Sequence, residues 1–405
     1  MDGMHVQGMS TVCDNTRECM HYTSVNTRRT ARTIPLVCGL LFAAFSFLYL
    51  YFLQPDLLAL LQFRLSDGQT SYDPLIGSLL ITLVLTLLGA GLQRLLSLPI
   101  RALVLAWLPS CLLLLALIGW CIVPEEGDAI CLPPMPRLIF LAVLAVAYLI
   151  ALRLCYVYRD TAGERASLVS HYTPNLLVLG FAFSLVGAVG NTSTPLHYEL
   201  QVERLLSAGR YAEALQVGEQ AETTSPRLTA MRCYALSREG QLGERLFTYA
   251  LHGDCTQMLP EWDATVRTHD LADSVYRHLR FRPCHVCRPS AMLFLENAHS
   301  LDTLASPVLR DYLLSACLLE RRLSRFAEIV VADSVKPLPT HYREALALYA
   351  TQDTCFQQPH PDTQTEQALH DFLTEMEQAD GDASPEDRLR HRFSHTYWYY
   401  YFFAK

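Results

Sequence analysis

The hydrophobic positions of this chain follow two different patterns, one on each side of residue 192. Before that residue, long apolar runs alternate with short polar loops. After it, apolar residues recur at helical spacing and short turns separate the segments. The first pattern is typical of membrane-spanning helices, and the second of amphipathic helices in a domain that faces water. We therefore predict an all-α protein, with a transmembrane helix bundle at 31–191 and a helical-hairpin domain at 192–405.

Five apolar stretches are predicted to cross a membrane, because a spanning helix needs roughly 20 largely apolar residues. They lie near 34–53, 75–93, 102–123, 138–158 and 174–190. The strictly apolar part of the last stretch, 176–189, is shorter than that. Gly89 and Gly91 in the second stretch are predicted sites of close contact between helices, since small residues let helix backbones approach each other. Residues 1–30 are polar and lack periodicity, and we interpret them as a disordered arm.

The positions of the arginines predict the orientation in the membrane. Four arginines precede the first stretch, two lie between the second and third, and three lie at or after the end of the fourth. The alternate loops contain only Arg64 and Arg137. Because loops rich in Lys and Arg stay in the cytoplasm, the N-terminus is predicted to be cytoplasmic. With five crossings, the C-terminal domain would then be extracytoplasmic.

Charge and composition disfavour two classes of function. The formal net charge of −8 disfavours a nucleic-acid partner, since affinity for phosphate backbones depends on clustered Lys and Arg. The predicted spans contain no Asp, Glu or Lys, which disfavours a secondary transporter, because ionisable groups usually mark ion and proton pathways. We predict no cofactor and no metal; the expected partners are the lipid bilayer and a protein or peptide.

The start of the C-terminal domain, YELQVERLLSAGRYAEALQVGEQAETTSPR, resembles a tetratricopeptide repeat, a helix–turn–helix unit of about 34 residues. Gly209 takes the position of the turn, and Ala214 is a small residue where the two helices meet. A second, degenerate unit has Gly240 in its turn. A third has Ser324 in place of the turn glycine. Stacked helix pairs of this kind present a concave surface that binds proteins or peptides.

Two further stretches extend the resemblance over most of the chain. They are LPTHYREALALY (338–349) and TYWYYYFF (396–403). Together with the apolar stretches and the repeats, they resemble an uncharacterised family of Bacteroidota inner-membrane proteins with a domain of unknown function. The resemblance implies topology and architecture. It implies no activity and provides no catalytic residues.

Cys284 and Cys287 form a Cys-x-x-Cys motif, for which three chemistries are open. The predicted outer domain has an even number of cysteines in a compartment that permits disulfides, so we predict a local disulfide between these two. A thiol–disulfide exchanger normally occurs in a βαβ context, which the surrounding sequence lacks. A zinc site would need two more ligands. Haem attachment is excluded, because Arg288 rather than histidine follows the second cysteine.

The aromatic run at 397–403 also has two interpretations. It either packs against the last helices and covers the end of the domain, or it lies at the level of the lipid headgroups, where Tyr and Trp are favoured. We favour the first interpretation. It predicts that deletion of residues 396–405 lowers the stability of the C-terminal domain.

The function predicted from these patterns is that of an integral membrane scaffold or partner-binding protein, with no catalysis evident. The alternative is a membrane-bound enzyme subunit. It would be either a thiol oxidoreductase that uses Cys284 and Cys287, or an envelope transferase that uses a loop carboxylate at Asp56, Asp67 or Glu125.

Overall fold

The computed structural model describes residues 33–66, 68–119, 135–157, 168–189, 194–221, 223–251, 254–260, 271–283, 290–302, 306–332, 337–353, 362–377 and 384–404. Within these ranges the chain is helical and contains no strand. The described helices form two compact units, which we call the N-terminal unit and the C-terminal unit; the division lies between residues 189 and 194.

Within its described ranges, the N-terminal unit contains six helices and a 3-10 segment of seven residues. The helices are α1 (Thr33–Leu53), which ends in a π-helical turn at Tyr49–Leu53, α2 (Pro55–Leu65), α3 (Pro74–Leu96), α4 (Leu108–Gly119), α5 (Met135–Val157) and α6 (Leu168–Val189), and the 3-10 segment is Ile100–Ala106.

Four of these helices are long and apolar enough to cross a membrane. They contain the segments Thr33–Leu53, Pro74–Leu96, Leu138–Val157 and Tyr172–Val189, which agree closely with four of the five predicted stretches. The prediction of helices at these places is confirmed. The predicted number of five spans is not confirmed, because the remaining stretch, at 102–123, has a different structure.

The stretch predicted at 102–123 is not one continuous helix in its described part. It begins as the 3-10 segment Ile100–Ala106 and continues as the 12-residue helix α4. The side chain of Asn175, in α6, bonds the backbone of the 3-10 segment: its Oδ1 accepts the Val104 N–H at 2.8 Å, and its Nδ2 donates to the Ile100 carbonyl at 2.9 Å. These groups are therefore satisfied by a side chain rather than by an α-helical ladder, which allows the helix to be interrupted.

Trp107 follows the 3-10 segment and lies against two glycines. A Cβ atom added at Gly89 would lie 2.4 Å from the ring, and one added at Gly39 would lie 3.0 Å from it. The indole is buried, with 3% of its surface exposed. The prediction of a close contact at Gly89 is thus confirmed, although the contact is with Trp107 rather than helix on helix. At Gly91 the described part of the chain makes no such contact, so a close contact there stays a prediction.

The C-terminal unit consists of twelve α-helices within its described ranges. They are α7 (Thr194–Ser207), α8 (Tyr211–Ala214), α9 (Pro226–Arg238), α10 (Leu242–Arg245), α11 (Leu271–Leu279), α12 (Ala291–Leu301), α13 (Pro307–Leu319), α14 (Leu323–Ala332), α15 (Thr340–Gln352), α16 (Thr363–Glu377), α17 (Pro385–Phe393) and α18 (Tyr397–Phe403). Helix α13 is central: it contacts α9, α10, α11, α12 and α14. Its residues 312–319 are all buried, as expected for a helix surrounded by others.

Three helix pairs in this unit have the same turn. In α7–α8, α9–α10 and α13–α14, a residue with positive φ lies two positions after the end of the first helix, namely Gly209 (72°), Gly240 (67°) or Arg321 (57°). The next N–H then bonds a carbonyl five residues back, which is the Schellman pattern. The three bonds run from Arg210 N–H to Leu205 O at 2.9 Å, from Gln241 N–H to Leu236 O at 2.8 Å, and from Arg322 N–H to Cys317 O at 2.8 Å.

The helical-hairpin prediction therefore holds at three places, with one correction. Ser324 does not occupy the turn of the third pair. The turn residue is Arg321, three positions earlier, because α13 ends at Leu319 and the chain must reverse directly after it. In the first two pairs the second helix, α8 or α10, has only four residues. The tetratricopeptide-like arrangement as a whole stays a prediction.

Candidate functional site

The aromatic run forms the last helix of the described chain, α18. Thr396 caps its first turn, where its hydroxyl accepts the Tyr399 N–H at 3.3 Å. Tyr397, Trp398 and Tyr400 are buried, with 0%, 1% and 9% of their surfaces exposed, whereas Phe402 on another side of the helix is 39% exposed. The run is therefore mostly part of the core of the C-terminal unit, as the first interpretation predicted.

Two tyrosine hydroxyls of α18 bond the end of α13. Tyr397 donates to the Leu318 carbonyl and Tyr400 to the Leu319 carbonyl, each at 3.1 Å. The last carbonyls of a helix lack α-helical partners, so the Tyr400 bond satisfies the Leu319 carbonyl, and the Tyr397 bond adds to the one that Leu318 O accepts from the Arg321 N–H at 3.1 Å. Burial raises the pKa of Tyr400 to about 12 and that of Tyr397 well above its usual value. Both hydroxyls therefore keep the proton that they donate.

Glu344 of α15 holds the start of α18 from the other side. Its Oε2 accepts the backbone N–H of Tyr397 at 2.7 Å. The Nδ1 of His341 donates to the same oxygen at 3.1 Å, and the indole N–H of Trp398 donates to the Glu344 carbonyl at 2.8 Å. His341 is 2% and Glu344 7% exposed. We call this group of four residues the Glu344 junction.

An aromatic ring closes the junction. The Phe247 ring lies 5.2 Å from the His341 ring, 5.0 Å from Tyr397 and 4.9 Å from Tyr400, measured between centroids, with tilted or edge-on planes. Such geometry is favourable between aromatic side chains. Phe247 comes from the short 3-10 turn after α10, so the junction joins elements that are far apart in sequence.

The junction brings together the two stretches that carried the family resemblance. His341 and Glu344 belong to 338–349, and Tyr397 and Trp398 belong to 396–403. Sequence reasoning identified both stretches but neither their contact nor the role of Glu344. One signal was present: Glu344 shares a helix face with the apolar residues Ala347 and Leu348, three and four positions later, and a carboxylate on a buried face requires a hydrogen-bond donor.

A polar cleft of about 350 Å³ opens beside the junction, between α15, α16 and α17, and Glu344 and Trp398 form part of its wall. Two ion pairs flank it: Arg343 with Asp362, at 2.5 Å, and Arg392 with Asp371, at 3.3 Å. Hydrogen bonds from the hydroxyl and the N–H of Thr365, helped by the Arg343 guanidinium, lower the pKa of Asp362. The cleft thus offers fixed charges and hydroxyl groups that can bond an extended polar ligand.

The predicted cysteine site cannot be placed, because Cys284 and Cys287 lie outside the described residues. Cys233, Cys255 and Cys317 are described, and they are buried thiols without a disulfide. Burial raises the pKa of both Cys233 and Cys317 to about 12, so neither is a nucleophile near neutral pH. The predicted disulfide between Cys284 and Cys287 stays a prediction.

The other chemistry considered from sequence has no assembled site in the described part of the chain. Asp56 lies in the first turn of α2, whereas Asp67 and Glu125 fall outside the described ranges. Within those ranges, no three His, Cys, Asp or Glu side chains are grouped so that they could hold a metal ion.

Comparison with known proteins gives one match. Residues 295–404 match the model of a family described as a family of unknown function, DUF6057. The matched region begins inside α12 and extends through α18, so it includes the central helix α13, all four residues of the Glu344 junction and the whole polar cleft, but not Phe247. No curated protein and no solved structure matches this chain.

Proposed function

We propose that this chain is an integral membrane scaffold that presents its C-terminal unit outside the cytoplasm, where the polar cleft binds a protein or peptide partner. The proposal that the chain spans a membrane rests on the exposure of α5. None of the apolar segment Leu138–Val157 is buried within the described chain. One face of the helix is half-buried, and the rest is exposed. A 20-residue apolar helix with so much exposed surface is unfavourable in water and suits hydrocarbon.

The orientation depends on whether the interrupted segment crosses the membrane. Five crossings place the two ends of the chain on opposite sides, and four place them on the same side. Placed end to end, the 3-10 segment and α4 would rise by about 32 Å, close to the roughly 30 Å of the hydrocarbon core. An interruption at membrane depth is tolerated where protein surrounds it. Val104, Ala106 and Leu114 are each at most 1% exposed, which supports a crossing here.

A reporter fused after Lys405 tests this topology. We expect activity from a reporter that works only outside the cytoplasm, such as alkaline phosphatase, and no fluorescence from one that works only inside. Fusions after Gly68 and after Ser97 serve as controls, since the arginine distribution predicts that they lie outside and inside respectively. Cytoplasmic fluorescence from the Lys405 fusion, with both controls as expected, would show that the interrupted segment does not cross.

Partner binding rests on the polar cleft and on the helical hairpins, which in a tetratricopeptide-like arrangement would present a concave surface. A photo-activated cross-linking residue at Gln364, an exposed position in the cleft wall, is expected to give a discrete adduct in native membranes. The matched control is Ser324, which is also exposed but lies on α14 away from the cleft. Identical adducts from both positions, or none from Gln364, would contradict a partner in the cleft.

A further inference from the structure

A second cavity, of about 580 Å³, lies at the opposite end of α13 from the Glu344 junction, at the N-terminus of that helix. Its wall comes from the end of α9, the end of α11 and the start of α13. Arginines dominate its chemistry: Arg238 is in the last turn of α9, Arg277 is in α11, and Arg280 directly follows α11. We call it the arginine cavity. None of the residues described as lining it is acidic.

The positive charge of the arginine cavity is only partly balanced. Arg277 pairs with Asp273, one turn earlier on α11. Arg238 and Arg280 have no carboxylate partner in the part of the chain that the structure describes. Arg238 is nevertheless held in place. Its guanidinium lies 4.7 Å from the centre of the Tyr211 ring, a cation–π contact, and donates to the Tyr234 hydroxyl at 3.4 Å.

The pKa of a histidine in the cavity wall is affected by the same positive charge. His278 bonds Ser237 through its Nε2, at 3.0 Å from the hydroxyl oxygen. Burial, and in second place the nearby Arg238 guanidinium, lower the pKa of His278. The cavity therefore disfavours a further cation, because each added positive charge would repel the arginines.

The start of α13 adds hydrogen-bond donors. Ser306 is the N-cap residue, but its hydroxyl makes no capping bond, and Pro307 occupies the first helical position. The first turn contains no acidic residue. Asp302 accepts the N–H of Ser306 itself, at 2.7 Å, and is not part of the cavity wall. The N-terminus of this 13-residue helix thus presents N–H groups and the positive end of its dipole to the cavity.

We propose that the arginine cavity binds a phosphate-bearing group, held by Arg238, Arg280 and the N-terminus of α13. Three segments far apart in sequence converge there, and the exposed arginines Arg238 and Arg280 have no carboxylate partner in the described chain, so that a phosphate anion can pair with both. Guanidinium groups and helix N-termini are the donors best suited to phosphate oxygens. A cavity of about 580 Å³ is larger than a single phosphate and can admit the molecule that bears it, either a soluble phosphate ester or a lipid headgroup.

The test is titration calorimetry of the full chain in nanodiscs of a zwitterionic lipid, with glycerol 3-phosphate as the probe, at constant ionic strength. We expect saturable binding of one equivalent. The variants Arg238→Gln and Arg280→Asn should each weaken it about tenfold or more, since each removes a charge-assisted bond. Asn is chosen because it tolerates the positive φ of 64° at position 280. Arg325→Gln is the matched control, because it removes the same charge from an arginine that is paired with Glu296 and Glu328.

A second arm distinguishes the two sources of phosphate. The same variants are tested with nanodiscs that contain phosphatidylglycerol, and bound lipid is counted after delipidation. Binding of lipid but not of glycerol 3-phosphate, with the same dependence on Arg238 and Arg280, would identify a headgroup as the ligand. If neither probe binds, or if Arg325→Gln weakens binding as much as the cavity variants do, the proposal is overturned. Circular dichroism of each variant confirms that it is folded.

Discussion

A chain that ends at His395 is expected to lose the cooperative thermal unfolding of its C-terminal unit. The truncation removes Tyr397 and Trp398, which are almost completely buried, and each large aromatic side chain lost from a core costs about 3–5 kcal/mol. It also removes the tyrosine hydroxyls that bond the Leu318 and Leu319 carbonyls at the end of α13; Leu318 O keeps the backbone N–H of Arg321. The combined loss is comparable with the whole stability of an ordinary domain, about 5–15 kcal/mol.

The measurement is the thermal unfolding of the full and the truncated chain in the same detergent, followed by circular dichroism. Trp398→Ala, a milder change, should lower the melting temperature by several degrees. Phe402→Ala is the matched control, since Phe402 belongs to the same helix but is 39% exposed, and its loss should have a much smaller effect. If the truncated chain melts as the full chain does, the run does not support the core, and contact with lipid headgroups becomes the better interpretation.

The second large effect is expected from Glu344→Ala, which should destabilise the C-terminal unit by about 3 kcal/mol. The substitution takes a charged acceptor from two buried donors, the N–H of Tyr397 and the Nδ1 of His341, and such bonds contribute about 1.5–3 kcal/mol each. Glu344→Gln keeps an oxygen in reach of the Tyr397 N–H and should lose less. Glu328→Ala removes an exposed carboxylate paired with Arg325 and should cost at most about 1 kcal/mol.

Amide hydrogen exchange locates the effect of Glu344→Ala. Faster exchange is expected in peptides from α15 and α18, which the junction joins, and unchanged exchange in α9. A uniform increase across the C-terminal unit would mean only a global loss of stability. If Glu344→Ala and Glu328→Ala lower the stability equally, the buried junction contributes no more to it than a surface ion pair does.

The sequence predicts the membrane-type helices well because length and apolarity are properties of each segment alone. Runs near 34–53, 75–93 and 138–158 have the length that hydrocarbon requires, and the helices lie where they were expected. The interruption at Ile100–Ala106 could not be predicted in the same way. It depends on Asn175, which lies 71 residues after Val104, and nothing in the local composition pairs these two residues.

The same distinction between local and distant information applies to the C-terminal unit. Gly209 and Gly240 were recognisable as turn residues, because glycine readily adopts positive φ. Arg321 was not, since an arginine in that conformation has no compositional signal. The Glu344 junction joins residues 53 positions apart, so the sequence could identify its two stretches but not their contact. The arginine cavity is formed by three segments and has no sequence motif.

The two bonds of Asn175 have a consequence for biogenesis. If the interrupted segment crosses the membrane as proposed, the two bonds from the Asn175 amide to the backbone of Ile100–Ala106 form only after α6 is present, and α6 is synthesised later. The 3-10 segment would then reach its final position in lipid only together with α6, so insertion of the two segments would be coupled. A defect in α6 would in that case expose a segment much earlier in the chain to the quality-control proteases of the membrane.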